Sequence, residues 1–260
     1  MSAEPLIAFR GVKKRFGSKV VYRDLDLDIY RGEVLTIVGG SGVGKSVMLK
    51  MLIGLLRPDA GSIVFDGREV TTMGEDDLSR VRQRIAMLFQ SGALFDSLSV
   101  GENVAYGLEE HSGNQMSRKD IAERVAWALG LVDLPGIEEM RPSDLSGGMR
   151  KRVGLARAIA VQPEVLLYDE PTTGLDPINT ARVNHLIIGL QQKLSITSVV
   201  VTHDMKSAFT ISDRLAMVHG GVIISQGEVE KFRSADDPRV ADFIEGRAPV
   251  KESVEALLNG

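Results

Sequence analysis

A glycine-rich segment behind a short apolar run constrains the fold of this 260-residue chain more than any other feature. The segment, residues 39–46, reads Gly-Gly-Ser-Gly-Val-Gly-Lys-Ser and fits the phosphate-binding pattern G-x-x-x-x-G-K-[ST]. Residues 33–38 before it are mostly apolar and predict a buried strand, while residues 47–56 after it predict a helix. A plain glycine turn is the alternative, but this context favours a strand–loop–helix unit that binds the phosphates of a nucleotide.

Each residue type in this phosphate loop has a chemical reason to be there. Glycines let the backbone curl so that successive N–H groups point at phosphate oxygens, and the helix N-terminus adds positive potential. Lys45 is predicted to bridge the β- and γ-phosphates, and the Ser46 hydroxyl to hold Mg²⁺. The predicted ATP-binding residues of the loop are Gly39, Gly40, Ser41, Gly42, Val43, Gly44, Lys45 and Ser46.

Composition excludes several classes of protein. The net charge of −4 gives no basic excess, so we expect no nucleic-acid partner. The absence of cysteine excludes disulfides and zinc–cysteine sites. The first nine residues lack the apolar core of a signal peptide, and no apolar run approaches the ~18 residues that span a bilayer. We therefore expect a soluble chain that would work at a membrane only through a spanning partner.

Strand and helix patterns alternate along most of the chain and predict an α/β fold with a wound, mostly parallel sheet. Leu25, Leu27 and Ile29 alternate with aspartates, as in a half-buried strand of an antiparallel β edge. Residues 91–162 are mainly helical, and Ser117 with Asp120 has the form of a capping box. We expect residues 1–90 and 163–246 to form a nucleotide-binding core with a β subdomain, residues 91–162 an inserted helical lobe, and residues 247–260 a tail.

Two acidic residues end the apolar run 165–168. A buried strand that stops at carboxylates places them at the carboxyl edge of the sheet, where ligands bind in open α/β folds. Asp169 is expected to orient Mg²⁺ through water, and Glu170 to polarise the water that attacks the nucleotide. A charged turn after a strand is the alternative, but the phosphate loop about 125 residues upstream favours catalysis.

Residues 145–149, Leu-Ser-Gly-Gly-Met, resemble the L-S-G-G-Q signature of ATP-binding cassette (ABC) proteins and precede a predicted helix at 150–160. With the other two motifs, the chain resembles an ABC transporter ATPase over about residues 6–235. The resemblance implies a P-loop ATPase with a RecA-like core and ATP and Mg²⁺ as cofactors. It also implies a head-to-tail dimer, in which Ser146, Gly147 and Gly148 of a second copy reach the γ-phosphate bound at Lys45.

The same resemblance implies roles for four further residues. Gln90 matches the Q-loop glutamine, which senses Mg²⁺ and water and faces the permease. His203, after an apolar strand, matches the switch histidine at the γ-phosphate. Asp176 matches the D-loop aspartate, and Phe16 lies where an aromatic ring stacks on adenine. The implied catalytic residues are thus Glu170, His203 and Gln90, and the implied metal-site residues are Ser46, Gln90 and Asp169.

A closer resemblance is to the ATPases of Mla/Mce-type lipid transporters. It rests on residues 44–50 and 87–96, on Met149 with the basic residues that follow, and on residues 169–177. Met149 departs from the usual glutamine of the signature, which affects one side-chain contact. This resemblance implies that the chain drives phospholipid or other lipid transport between membranes and lies peripherally on the cytoplasmic side of the inner membrane. The implied partners are an integral membrane permease, an MCE-domain protein and, in some systems, a small STAS-domain protein.

Other functions stay open at this point. An importer of a polar solute, such as an amino acid, is the main rival. A chromosome or repair ATPase would need a long insertion between Gln90 and Leu145, where only about 54 residues lie, and a translation factor would carry two cassettes. Two surface expectations follow as well. The basic residues 150–152 and Arg157 should form a solvated helix face, and Leu94 and Phe95 should line a groove for a permease helix.

Overall fold

The computed structural model describes residues 4–112 and 116–247. Its strands are β1 Ile7–Phe16, β2 Lys19–Ile29, β3 Val34–Val38, β4 Ala60–Phe65, β5 Arg68–Glu69, β6 Ile85–Leu88, β7 Val165–Asp169, β8 Thr197–Thr202, β9 Arg214–His219 and β10 Val222–Glu228. Its helices are α1 Lys45–Leu52, α2 Glu75–Arg84, α3 Val100–Ser112, α4 Arg118–Leu131, α5 Gly147–Ala160, α6 Pro177–Leu194, α7 Met205–Ile211, α8 Val229–Arg233 and α9 Pro238–Glu245, with a 3-10 turn at Pro142–Asp144. The predicted tail lies outside these residues, apart from Arg247.

A six-stranded sheet in the order β10-β9-β3-β8-β7-β6 forms the centre of the molecule. All of its neighbouring pairs are parallel except β9 with β10. Strands β3, β7 and β8 are buried along their whole length, as expected for a sheet covered on both faces. The predicted wound α/β fold is confirmed, and the carboxyl ends of β3, β7 and β8 meet at one edge.

A second, four-stranded antiparallel sheet has the order β2-β1-β4-β5. In β2, Leu25, Leu27 and Ile29 are buried while Asp24 and Asp26 are exposed, which confirms the predicted alternation. The buried face packs with α1 and one face of the central sheet in a common apolar core. The Tyr22 hydroxyl donates to the carbonyl of Gly44 at 2.7 Å, so this sheet contacts the phosphate loop directly.

Helices α3, α4 and α5 pack together in residues 100–160. Ser117 and Asp120 form the predicted capping box at the start of α4, and Val125, Ala128 and Leu129 are buried on its inner face. The apolar core of these helices continues onto β7, β8 and α6 rather than being separate. No helix in the described ranges is both long and apolar enough to cross a membrane.

Several predicted boundaries differ from the structure. Helix α1 begins at Lys45 rather than at residue 47, and it ends at Leu52 because Gly54 adopts a left-handed backbone with φ of 70°. Helix α5 begins at Gly147 rather than at residue 150, with Ser146 as its N-cap. Strand β7 includes Asp169, beyond the apolar run 165–168 that the sequence indicated. These shifts move no motif to another element.

Candidate nucleotide site

The phosphate loop connects the end of β3 to the start of α1. Gly42 and Gly44 adopt positive φ angles of 73° and 111°, which glycine tolerates far better than other residues. A Cβ atom on Gly44 would lie 2.3 Å from Cγ1 of Val21, so the close approach of the β subdomain also requires glycine there. Among the described residues, no side chain caps the first turn of α1. The free N–H groups of that turn can therefore donate hydrogen bonds to a phosphate.

Lys45 lies inside the curve of the loop and is 7% exposed. Its ammonium donates to the carbonyls of Gly39 at 2.8 Å and Gly40 at 3.2 Å. It also lies 3.4 Å from Oε1 of Glu170. The lysine charge thus faces both the loop and the carboxylate at the end of β7.

Ser46 and Asp169 bring together two oxygen ligands of the kind that Mg²⁺ prefers. The Ser46 hydroxyl donates to Oδ1 of Asp169 at 2.6 Å, and Asp169 is 7% exposed. No group of three or more His, Cys, Asp or Glu side chains that could hold a metal is found in the described part of the chain. Mg²⁺ usually binds through one or two protein oxygens, phosphate and water, so these two residues fit that ion.

Glu170 is held by three side chains at the end of β7. Its Oε2 lies 2.9 Å from Nδ1 of His203 and accepts hydrogen bonds from Thr173 and Thr202, each at 3.2 Å. Burial raises the pKa of the Glu170 carboxyl, but the hydrogen bond with His203 and the charge of Lys45 outweigh it, and the pKa lies below its ordinary value. The carboxylate is therefore ionised at neutral pH and can only accept, so Nδ1 of His203 carries a proton.

One cavity of about 640 Å³ joins these groups. The residues that line it are Phe16, Lys19, Val21, Gly40, Ser41, Gly42, Gly44, Lys45, Ser46, Val47, Gln90, Glu170, His203 and Phe243. The structure therefore brings most of the phosphate loop together with Glu170, His203, Gln90 and Phe16; of the other predicted residues of this site, Gly39, Val43 and Asp169 do not line the cavity in the described part of the chain. Phe16 is 46% exposed at the rim and has the Lys14 ammonium 5.2 Å from its ring centroid.

The signature segment lies elsewhere on the surface. Ser146 is exposed, and its Oγ accepts a hydrogen bond from the N–H of Met149 at the start of α5, at 3.2 Å. Asp176 caps α6 by accepting from the N–H groups of Ile178 and Asn179. In the described part of the chain, neither Ser146 nor Asp176 lines the cavity at Lys45. Gly147 of the signature does line a neighbouring cavity, together with Gln90 and Asp169.

Comparison with known proteins places this geometry in a family. A family model described as ABC transporter matches residues 22–173. This chain belongs to the ABC transporter family. Nucleotide binding and ATP hydrolysis are the family's common activity, and the sequence prediction of an ABC ATPase is confirmed.

Curated relatives of this ABC ATPase carry two kinds of name. The intermembrane phospholipid transport system ATP-binding protein MlaF of Escherichia coli K12 is 38% identical over 247 residues, 95% of this chain and 91% of MlaF. MlaF of Haemophilus influenzae is also 38% identical, over 94% of this chain and 91% of that protein. The probable ribonucleotide transport ATP-binding protein mkl of Mycobacterium leprae is 42% identical over 241 residues, 93% of this chain and 69% of mkl.

Solved structures give the same fold. The dimeric, post-hydrolysis structure of the ATP-binding cassette MJ0796 bound to ADP and Pi matches with a TM-score of 0.79 and 29% identity, over 86% of this chain and 98% of that one. CbiO1 from Clostridium perfringens, part of the transporter complex cbiONQ, matches with a TM-score of 0.81 and 27% identity, over 94% of this chain and 100% of that one.

The expectation of a solvated basic face on α5 of the ABC ATPase is wrong. Only Arg150 is exposed, while Lys151 is 7% exposed. Arg152 and Arg157 are half-buried and donate to backbone carbonyls, Arg157 to those of Gly92 and Ala93 at 2.9 and 2.8 Å. The prediction failed because charge alone does not show whether unpaired carbonyls surround a long cationic side chain.

Sequence reasoning missed other residues at this site. Thr173 and Thr202 hydrogen-bond to Glu170, and their only sequence signal is adjacency to motifs. Phe243, on α9, lines the nucleotide cavity although about 200 residues separate it from the phosphate loop. The apolar positions of α9 signal a packed helix, but they do not indicate that one ring reaches the cavity.

Proposed function

We propose that this chain is the ATPase subunit of a bacterial phospholipid transporter and that it works at the cytoplasmic side of the inner membrane. The observation that carries the proposal is the ionised Glu170 carboxylate, held between Lys45 and His203 beside the phosphate loop. The phospholipid substrate is supported by the 38% identity to MlaF over 91% of its length. The site of this chain thus supports the ATPase activity, and the identity to MlaF supports the phospholipid substrate.

Binding of ATP is assigned to the cavity around Lys45. The N–H groups of residues 40–46 and the Lys45 ammonium would take the β- and γ-phosphates, and Phe16 would stack on adenine. Ser46 and Asp169, with Gln90 at the cavity wall, would hold the metal. When bound there, Mg²⁺ supplies charge neutralisation at the phosphate oxygens. The full proposed set is the one predicted from sequence, and it divides between two copies as described below.

Hydrolysis would depend on Glu170. A carboxylate with a lowered pKa is a weak base, so it orients and polarises the attacking water rather than removing a proton beforehand. The water oxygen bonds to the γ-phosphorus, the bond from that phosphorus to the bridging oxygen breaks, and the water proton passes to Glu170 or to the released phosphate. His203 would donate to the γ-phosphate through its Nε2, which requires the imidazolium form because its Nδ1–H is already donated to Glu170.

The active unit is proposed to be a head-to-tail dimer. Ser146, Gly147 and Gly148 form a helix N-terminus and, in the described part of the chain, do not line the cavity at Lys45. Asp176 lies close to the signature. It accepts a hydrogen bond from the N–H of Asn179, and a Cβ atom on Gly148 would lie 3.0 Å from the Asn179 side chain. A second copy would bring its signature and D-loop to the γ-phosphate. The relative MJ0796 has been solved as a dimer with ADP and Pi.

Coupling to a membrane permease is proposed through the segment after Gln90. Phe95 is 41% exposed and packs on Tyr106, which is 42% exposed, with ring centroids 4.8 Å apart. The neighbouring Leu94 is half-buried against the core of the helical lobe, so Phe95 and Tyr106 are the rings that the segment offers to a partner. A pair of exposed aromatic rings suits a docking helix. MCE-domain and STAS-domain proteins are the further proposed partners.

We also propose that the domains follow the bounds predicted from the sequence. Residues 1–90 and 163–246 would act as the ATP-binding core, and residues 91–162 as the lobe that carries the signature. The lobe of one copy and the core of the other would come together to close each site, and the site would open when they move apart.

Transport of a polar solute is the second candidate. The observation that favours it is the 42% identity to mkl, whose name states ribonucleotide transport. Both candidates use the same ATPase site, so the site cannot separate them. The two differ in what the membrane partner carries.

The test of the proposal is purification of the full complex from cells that express the neighbouring genes, followed by lipid analysis and ATPase assays in lipid discs. We expect bound phospholipid, an integral membrane permease and an MCE-domain protein, with ATPase activity that responds to phospholipid. A complex without lipid whose ATPase is stimulated by a soluble solute-binding protein would instead establish the polar-solute importer.

A further inference from the structure

A buried lysine on α5 has no part in the mechanism derived above. Lys151 is 7% exposed, and its ammonium donates to the carbonyls of Thr173 at 2.6 Å, Pro171 at 2.9 Å and Glu170 at 3.4 Å. An ammonium group has three N–H donors, so these carbonyls can use all of them. All three acceptors belong to the loop that begins at Glu170.

This loop has an unusual backbone at its first residue. Glu170 adopts a φ of 49°, in the left-handed region that side chains rarely occupy. Its N–H donates to the carbonyl of Val201 on β8 at 2.9 Å. The Lys151 contacts lie on the other side of the residue, at its own carbonyl and at those that follow. The backbone of Glu170 is therefore held at its N–H by strand β8 and at its carbonyl by Lys151.

The charge of Lys151 is retained at a cost. Burial lowers the pKa of the Lys151 ammonium, and the charge of Glu170 raises it in part. A buried cation that served only to pack α5 against the loop would be a poor choice, since an apolar side chain of similar volume is often at least as stabilising. Directed contacts to three carbonyls instead define where the loop lies.

Lys151 also connects two parts of the proposed ATP site. It lies in the second turn of α5, the helix that begins beside Ser146. The loop that it holds runs from Glu170 to Asp176 at the start of α6. A movement of α5 would therefore reach the loop of the same chain through this side chain.

We propose that Lys151 is a positioning residue, which fixes the Glu170 carboxylate for ATP hydrolysis by holding the carbonyl oxygens of the loop behind it. The inference rests on the proposed role of Glu170. Lys151 does not line the cavity at Lys45 in the described part of the chain. Its loss should therefore lower kcat and leave ATP binding nearly unchanged.

The test compares Lys151→Met with Lys151→Arg in the full-length protein, with Arg152→Met as the matched control. Arg152 is the next cation on α5 and also donates to carbonyls, those of Val132 and Asp133 at 3.2 and 3.1 Å. We expect Lys151→Met to lower kcat about tenfold or more with Kd for ATP within about twofold, whereas Arg152→Met changes kcat less than about twofold. Lys151→Arg, which keeps charge and donors, should recover most of the lost kcat.

A double-mutant cycle separates this inference from the function on which it rests. Because Lys151 acts through Glu170, Lys151→Met should lower the residual single-turnover rate by less than about twofold in the Glu170→Gln background. An undiminished effect there, an equal loss in Arg152→Met, or a loss confined to ATP binding would overturn the inference. Wild-type turnover in Glu170→Gln alone would instead refute the proposed role of Glu170. If thermal unfolding shows that Lys151→Met does not fold, Lys151→Gln, which has fewer donors, replaces it. The same results are expected for that variant, and the same results would overturn the inference.

Discussion

At the scale of single residues, the candidate site depends on how charges are balanced around Glu170. The carboxylate faces Lys45 and His203 on one side, and the loop behind it carries the carbonyls held by Lys151. The left-handed backbone of Glu170 costs on the order of 1 kcal/mol. Such a cost persists only where surrounding contacts fix the conformation, which is common at functional sites.

Exchange of the carboxylate for an amide separates binding from turnover. Glu170→Gln keeps the shape of the side chain but loses its charge, so we expect ATP binding to remain and turnover to fall by orders of magnitude. Lys45→Ala should instead lose tight ATP binding, because the triphosphate loses its main buried cation. Parallel measurements of Kd and single-turnover rate check both outcomes, and robust hydrolysis by Glu170→Gln would remove Glu170 from its role.

A second residue-scale prediction concerns Phe243 at the cavity wall. Loss of this ring should weaken ATP binding by about three- to tenfold, since stacking or edge contacts of an aromatic ring contribute about 0.5–1.5 kcal/mol. Phe243→Ala is compared with Ile244→Ala, which removes a neighbouring apolar side chain from the same helix and core cluster. Equal losses of ATP affinity in the two variants would show that docking of α9, rather than the ring itself, affects the site.

At the scale of elements, the edge of the sheet opposite the nucleotide site is joined by an ion-pair network. Arg84, the last residue of α2, contacts Asp66 and Glu164, each at 2.6 Å, and Arg31 pairs with the same two carboxylates. The hydrogen bonds from Arg84 hold the pKa values of Asp66 and Glu164 below their ordinary range. The network joins the end of β4, the end of α2 and the start of β7.

The stability from this network should depend on pH. Both carboxyls have pKa values that are lowered on folding, so their contribution is present above the ordinary pKa values of 3.8 and 4.5 and is lost as the pH falls through the folded values. Arg84→Met should lower the free energy of unfolding by about 1 kcal/mol or less at pH 7, because the partners are partly exposed. Denaturant unfolding at several pH values should show the difference from wild type shrink as the pH falls below the ordinary pKa values of these carboxyls. The Arg84 guanidinium also lies 4.6 Å from the ring centroid of Phe65, and a constant difference at all pH values would assign the effect to that contact.

The elements also show how much of this protein its sequence predicts. The alternation of strands and helices as far as β8, the capping box of α4 and the residues at the ends of β3, β7 and β8 were predictable, because each has a local pattern; the elements after β8 were not predicted. The role of Lys151 and the reach of Phe243 were not, since both depend on contacts between segments distant in sequence. Periodicity predicts which face of a helix is buried, but it does not identify the group that lies opposite one side chain.

At the scale of the whole molecule, the proposed dimer divides each ATP site between the phosphate loop of one chain and the signature of the other. Lys45 and Glu170 lie in one cavity, whereas Ser146 lies on the exposed start of α5. In the proposed dimer, a second copy therefore completes each site. Two copies related by a two-fold axis would form two equivalent sites, each with the phosphate loop of one chain and the signature of the other.

ATPase activity of mixed dimers tests this central claim most directly. Lys45→Ala and Ser146→Arg should each be inactive alone, because every site in either homodimer carries a lesion. In a mixed dimer both lesions fall on one site and the other site is intact, so an equal mixture should regain up to about a quarter of wild-type turnover if the sites act independently. Regained turnover on mixing is the predicted result. A mixture that exchanges subunits but stays as inactive as its components would contradict the composite site.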